Sequence, residues 1–230
     1  DHIEKIITYN DIGAYELTKS GKYAGRFYAV PQFEEGHQKL FAAYSGQFLV
    51  VGIPPLYEGF YSRYFAGREP DWHASLQHAG FCFWDEGETW SPPKELTHFL
   101  EAGAKPVLFT LGTSAIMSPR KFYEDAVEAV RDSRHRAILL IGLEKNRPSN
   151  LPTNMRALNY APHGWIMSQC SAVVHHGGIG TTAQALRAGL PSIFCPYAFD
   201  QPNNAMRVQA LGAGIVIHPQ RRDARRLREA

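Results

Sequence analysis

From Lys105 onward, short apolar runs alternate with longer stretches whose apolar positions recur every three or four residues. The runs Pro106–Leu111, Ala137–Ile141, Arg156–Tyr160, Ala172–His175, Ser192–Cys195 and Gly214–Ile217 predict strands, and Gly, Pro or Asn punctuation follows each of them. Helices are predicted between them over Pro119–Asp132, Gly164–Ser168, Thr181–Ala188 and Pro202–Leu211. In the first of these Phe122, Ala126, Val127 and Val130 share one face and Pro119 suits the opening turn. Strands apolar on both faces and separated by helices imply a parallel sheet covered on each side, a doubly wound α/β fold. Such sheets bind ligands beyond the carboxyl ends of their strands, so the loops after these runs are the places to look for chemistry.

Upstream the pattern is less regular. Asp1–Val30 mixes helical and turn signals, and Leu40–Val51 reads as a helix or strand leading into Gly52-Ile53-Pro54-Pro55. The segment Arg68–Pro93 is rich in Gly, Pro and acidic residues, carries Trp72, Trp84 and Trp90, and has the character of an interdomain connection. The expected organisation is therefore a partial domain with its linker over residues 1–90 and a doubly wound domain over 91–230.

A length of 230 residues fits one full domain plus part of another. With 44% hydrophobic and 20% charged residues and a net charge of +2, the composition is that of a soluble globular protein with a sizeable core. The basic surplus is concentrated in Arg221, Arg222, Arg225, Arg226 and Arg228. Elsewhere the signs alternate, which argues against a nucleic-acid-binding face. Cys82, Cys170 and Cys195 form no CxxC pair, so neither a disulfide framework nor a zinc site is expected, and a reducing, cytoplasmic setting fits. No run nears the roughly 18 apolar residues of a membrane-spanning helix, and no signal peptide opens the chain. The sequence begins at Asp1 without a methionine, as a piece of a longer protein would.

Four loops carry candidate chemistry. In Phe109–Ala115 a strand ends in Gly112, Thr113 and Ser114 ahead of a helix, where backbone N–H groups and hydroxyls suit a phosphate; an ordinary turn with Ser118 as N-cap is the plainer alternative. In Val173–Pro191 a strand ends in His175 and His176, three glycines follow, and Thr181 and Thr182 open a helix. The N–H groups of Gly178, Gly180 and Thr181 with one imidazole donor would cradle a diphosphate without a metal. The glycine spacing is GGxG rather than GxGxxG, which speaks against a dinucleotide loop, and adjacent histidines at a strand end point to opposite sides, which speaks against a shared ion. In Pro196–Ala205, Asp200 and Gln201 set a carboxylate beside an amide, suited to vicinal sugar hydroxyls or simply to a helix start. In Asn159–His163, Tyr160 could stack on a base or pack in the sheet. No DxD triplet is present, so a leaving diphosphate would depend on N–H groups, His176 and helix dipoles, with no metal. No GxSxG elbow supports a hydrolase.

With these loops in order, about Pro92–Gly214 resembles the C-terminal domain of the UDP-glycosyltransferase superfamily, of GT-B fold. HHGGIGT, then AxxAGLP, then DQPxNA carry the likeness, and the phrasing is similar to bacterial rhamnosyltransferase-like and sterol glucosyltransferase-like members. The resemblance implies that His176, Gly178, Gly180 and Thr181 contact the donor diphosphate, with Thr113 and Ser114 approaching from the first loop. Asp200 and Gln201 would hold the sugar, while Tyr160, Ala161, His163 and Gln184 would meet the base and ribose. Tyr160 stands where plant members have a base-stacking Trp and Gln184 where they have a ribose-binding Glu, so UDP and dTDP both stay open. The family's general base, a histidine near the start of the N-terminal domain, has no counterpart here, and His37, His73 and His98 are read as surface or packing residues. The implied activity is inverting, metal-independent hexosyl transfer from a nucleotide sugar such as UDP-glucose to a lipid, sterol or natural-product hydroxyl. It implies no cofactor, no nucleic-acid partner, a cytoplasmic location peripheral to a membrane, and no activity from this chain alone. A non-hydrolysing nucleotide-sugar epimerase and a non-catalytic nucleotide-sugar-binding module are the alternatives, with a dinucleotide oxidoreductase third.

Overall fold

The computed structural model describes residues 50–53, 56–59, 61–67, 76–81, 83, 90–112, 115–218 and 222–230. The chain divides into two units, Asp1–Cys82 and Phe83–Ala230. In the first, β1 (Val50–Ile53) pairs antiparallel with β2 (Leu56–Gly59), which pairs in parallel with β3 (Leu76–His78). His78 is hydrogen-bonded through Nε2 to the Ala66 carbonyl at 3.0 Å, and Phe65 meets Phe81 edge-on. Of the run Leu40–Val51 only the end is described, and it is strand.

The second unit opens with α1 (Lys94–Glu101) and continues as β4 (Val107–Thr110), α2 (Phe122–Val130), β5 (Ala137–Leu140), β6 (Met155–Leu158), α3 (His163–Ser168), β7 (Ala172–His175), α4 (Ile179–Arg187), β8 (Ser192–Phe194), α5 (Gln201–Ala210), β9 (Gly214–Val216) and α6 (Ala224–Glu229). The six strands form one wholly parallel sheet in the order β6-β5-β4-β7-β8-β9, the doubly wound arrangement that the alternating pattern predicts. Each predicted strand is present: Ala172–His175 has the predicted bounds, β6 is shifted to begin at Met155 and end at Leu158, and the others are trimmed by a residue at one or both ends. The central strands are buried on both faces, with Leu108, Ile138 and Val173 packed into one helix layer and Phe109, Leu139 and Val174 into the other.

Two identical stops send the chain from helix to strand. After α4, Gly189 (φ +67°) donates to the Leu186 carbonyl and Leu190 to that of Ala185. After α5, Gly212 (φ +73°) donates to Gln209 and Ala213 to Val208. Both are Schellman turns, in which glycine tolerates the left-handed conformation that ends the helix. The AGLP phrase is thus a helix stop leading into β8.

Several expectations need correction. The helix after the glycine loop begins at Ile179, not Thr181, and α2 begins at Phe122 with Lys121 as its N-cap, so Ser118 caps nothing. Helix α1 lies in a stretch for which no element was expected; Leu96 and Phe99, three apart, bury on the core. Trp90 packs edge-on against Trp165 at 4.8 Å and joins that core instead of belonging to a bare connection; Trp72 and Trp84 lie outside the described residues. The arginine-rich end is helical. Arg228 donates to the carbonyls of Glu128 (2.6 Å) and Ala129 (3.0 Å), which lie in the last turn of α2 and have no partner within that helix, and Arg222 pairs with Asp125 at 3.6 Å.

Candidate functional site

The strand order reverses between β4 and β7, because the chain runs outward through β5 and β6 and then returns to the other side of β4. A crevice opens at such a reversal, beyond the carboxyl ends of the two strands. Thr110, the last residue of β4, lies opposite His175, the last residue of β7, so Gly112 and His176 emerge side by side.

His176 is almost wholly buried, and its ring is gripped on two sides. A Cβ on Gly112 would lie 2.5 Å from its Cε1, and a Cβ on Gly178 2.5 Å from its Nε2. These glycines therefore make room for an imidazole; Gly180, whose Cβ would meet nothing within 4 Å, faces open space. The Gly112 N–H donates to His176 Nδ1 at 3.2 Å. An Nδ1 that accepts must be unprotonated, so the neutral ring carries its proton on Nε2, beside Gly178. Burial, reinforced by repulsion from His163, pushes the His176 pKa down to about 4, so the ring is neutral at physiological pH.

Gly178 is the N-cap of α4, and the N–H groups of Ile179, Gly180 and Thr181 occupy the first turn, where intrahelical acceptors are missing. The imidazole Nε2–H and the positive end of a helix thus meet at one point, an arrangement suited to a polyphosphate anion. Thr182 Oγ1 donates to the Gly178 carbonyl at 2.9 Å and secures the turn. His175 faces the other way: its ring packs on Phe194 at 4.6 Å, its Nδ1 accepts from the Gly177 N–H at 3.2 Å, and it stands 6.4 Å from the His176 ring at 82°. Among the described residues no three His, Cys, Asp or Glu side chains converge as a metal site would require.

The expected sugar loop follows β8. Asp200 is the N-cap position of α5 but caps nothing with its side chain; its Oδ2 accepts from Asn204 Nδ2 at 2.7 Å. Gln201 is buried, and its Oε1 accepts from the N–H groups of Tyr197 (2.8 Å) and Ala198 (3.1 Å), which fixes the amide with Nε2 as the remaining donor. Tyr197 also donates its hydroxyl to the Pro119 carbonyl at 2.7 Å, tying this loop to the one after β4.

The base and ribose candidates lie just past β6 and on α3 and α4. Tyr160, just past β6, is 55% exposed, so the alternative of a Tyr packed in the sheet falls away. Ala161 is buried, and His163, the first residue of α3, is hydrogen-bonded through Nε2 to Thr110 Oγ1 at 3.3 Å, with its pKa lowered by burial. Gln184 Oε1 is buried on α4 without a hydrogen-bond partner, an acceptor awaiting a donor such as a ribose hydroxyl. Thr113 and Ser114 lie outside the described residues, as do Cys82, His37 and His73. His98 is exposed on α1, and Cys170 and Cys195 are buried free thiols, the pKa of each pushed up to about 12 by burial. Sequence reasoning missed Gly112 as a partner of His176, and it missed Asn204. DQPxNA held the second, since Asn four residues after Asp on a helix faces it.

A six-stranded parallel sheet with a glycine loop and a buried imidazole at its switch point is a Rossmann-like α/β arrangement that matches GT-B glycosyltransferase structures. Residues 128–230 match the family model described as Erythromycin biosynthesis protein CIII-like, C-terminal domain. A sterol 3-beta-glucosyltransferase of Arabidopsis thaliana is 36% identical over 155 residues, 67% of this chain and 24% of that enzyme. The O-mycaminosyltylonolide 6-deoxyallosyltransferase of Streptomyces fradiae is 39% identical over 143 residues, 62% of this chain and 33% of that enzyme. The crystal structure of the glycotransferase of kitacinnamycin superposes with a TM-score of 0.62 at 28% identity, over 75% of this chain and 44% of that one. The chain thus carries an EryCIII-like C-terminal domain, and its relatives are sterol and macrolide glycosyltransferases. It spans only a quarter to a third of the length of these two curated relatives. Among the described residues no helix is long and apolar enough to cross a membrane.

Proposed function

We propose that this chain is the donor-binding part of an inverting, metal-independent hexosyltransferase that uses a UDP- or dTDP-sugar. The observation that carries the reading is the His176 ring, whose Nδ1 is engaged by the Gly112 N–H so that Nε2–H stands at the start of α4. Diphosphate oxygens would accept from His176 Nε2–H and from the N–H groups of Gly178, Gly180 and Thr181, with Thr113 and Ser114 approaching from the first loop. Gln184 would accept from ribose, Tyr160 would stack on the base beside Ala161 and His163, and Asp200 and Gln201 would hold the sugar.

In the intact enzyme an acceptor hydroxyl attacks the anomeric carbon from the face opposite the nucleotide, and configuration inverts as the C–O bond to the diphosphate breaks. Negative charge grows on the diphosphate as the bond lengthens. A preformed neutral donor and a helix terminus favour that charge without a cation, and one such donor is typically worth about 3 kcal/mol of barrier. The base that removes the acceptor proton belongs to a part of the protein beyond residues 1–90, which we read as the end of the acceptor domain and its linker. The chain alone is accordingly expected to bind donor and not to turn over. The names of the sterol and macrolide enzymes it resembles support a sterol, lipid or natural-product acceptor, and we read the protein as cytoplasmic and peripheral to the membrane.

The test is isothermal titration of the chain with UDP, dTDP and NAD in EDTA, repeated on His176→Ala. UDP or dTDP should bind without metal, and the variant should lose about 10- to 100-fold in affinity, the worth of one hydrogen bond to a charged group. Binding of NAD alone, or undiminished nucleotide binding by the variant, overturns the reading.

A further inference from the structure

The glycine loop and the loop before α5 are joined through one buried side chain. Asn204 has no exposed surface, and its Nδ2 donates both to the Gly177 carbonyl at 2.9 Å and to Asp200 Oδ2 at 2.7 Å. The amide orientation is unambiguous, because the opposite one would set Oδ1 against two acceptors. Its Oδ1 is buried without a hydrogen-bond partner, so this side chain is held at a cost that packing alone does not explain. The backbones touch at the same place. Gly177 has φ +94°, and a Cβ there would lie 2.9 Å from the Gln201 carbonyl oxygen.

We propose that Asn204 is a positioning residue that couples diphosphate binding to sugar binding; this rests on the donor-site reading above. One amide nitrogen holds a carbonyl of the diphosphate loop and a carboxylate of the sugar loop. By holding Oδ2 it sets the rotation of the Asp200 carboxylate, the group that would meet the sugar. By holding the Gly177 carbonyl it sets the peptide that leads into the α4 N-cap. A shift of the glycine loop around a diphosphate therefore moves the sugar carboxylate with it. The device differs from ordinary helix capping, in which Asp200 would accept from backbone N–H groups of α5 and would lie turned away from the crevice.

The experiment measures the sugar increment, the ratio of affinities for a nucleotide sugar and its nucleoside diphosphate, using UDP-glucose with UDP and dTDP-glucose with dTDP on the whole chain. It compares wild type, Asn204→Leu, Asp200→Asn and the double variant. Leu keeps the same branched heavy-atom skeleton and makes neither hydrogen bond. The expected result is a loss of about tenfold in the increment for Asn204→Leu and for Asp200→Asn, with no further loss in the double variant, since both changes disable the same carboxylate. A residue that only packs would lower the melting temperature and leave the increment unchanged, and that result overturns the proposal, as do losses that multiply in the double variant.

Should Asn204→Leu fail to fold, the wild-type chain answers by itself. The Asn204 side-chain amide resonances should shift on addition of UDP or dTDP as well as of the nucleotide sugar, and resonances that ignore the nucleoside diphosphate overturn the coupling. Absence of any nucleotide binding in wild type would instead refute the donor-site reading, and the two failures are thereby distinct.

Discussion

Three glycines of the loops around His176 look interchangeable in the sequence and are not. A methyl group at Gly112 or Gly178 would overlap the His176 ring, whereas one at Gly180 would enter open space. Gly112→Ala and Gly178→Ala are each expected to cost about 1–3 kcal/mol through overpacking and to abolish nucleotide binding. Gly180→Ala lies within α4, where Ala is the better helix former, so the melting temperature should hold or rise while nucleotide affinity falls, because the methyl projects where the ligand would lie. Thermal unfolding and titration on the three variants check this; equal effects at all three positions would contradict it. The sequence shows that this loop suits a phosphate, because histidines, glycines and a helix start are adjacent along the chain. It does not show which glycine serves the ring and which the ligand, because the partner of His176 Nδ1 comes from the loop after β4, 64 residues earlier. Gln201 was legible as a polar residue at the right loop, but the role of its Oε1 in tying down Tyr197 and Ala198 depends on how the loop curls, which no spacing rule encodes.

Among the elements, all six strands of the sheet and four of its helices were legible because their periods are strong: runs buried on both faces for strands, a repeating apolar face for helices. Two helices escaped for different reasons. Helix α1 does carry an apolar face in Leu96, Phe99 and Leu100, but it is short and follows the turn signals of Pro92 and Pro93, whereas α6 has only Ala224 and Leu227 as its buried residues. Ala224 and Leu227 join the core beside α2, and Arg228 adds donors to carbonyls that a helix end leaves unpaired. Arg228→Ala should lower stability by about 1 kcal/mol, seen as a shift of a few degrees in the melting temperature, with UDP and dTDP affinity unchanged because α6 contributes nothing to the crevice. Gly189→Ala should cost about 1–2 kcal/mol by forcing a side chain into the left-handed turn between α4 and β8, again with nucleotide binding retained in the folded fraction.

Over the whole molecule, the cluster of His163, His175 and His176 beneath the crevice sets a dependence on pH. Burial lowers all three pKa values from the ordinary 6.5, that of His176 to about 4, with the charge of neighbouring imidazoles adding to the effect at His175 and His176. The unfolded chain therefore takes up protons near pH 6.5 that the folded chain refuses, so the stabilisation is complete above that value and is lost on acidification toward pH 4. Melting temperatures should be level between pH 8 and 7 and fall progressively below 6.5, and His163→Gln should shallow the slope. A flat profile across that window would show that the imidazoles are not held neutral.

The grip on the His176 ring means that one side chain has two separable duties, filling space for two glycines and presenting a proton. Removing the ring should accordingly make Gly112→Ala tolerable: in the pair His176→Ala with Gly112→Ala, the new methyl group moves into the volume the imidazole vacated. Heat resistance should then partly return while nucleotide affinity stays lost. Positions 112, 176 and 178 would in that case drift through sequence space as a linked trio, free to exchange volume with one another and bound to a histidine only for as long as the protein must grip a diphosphate.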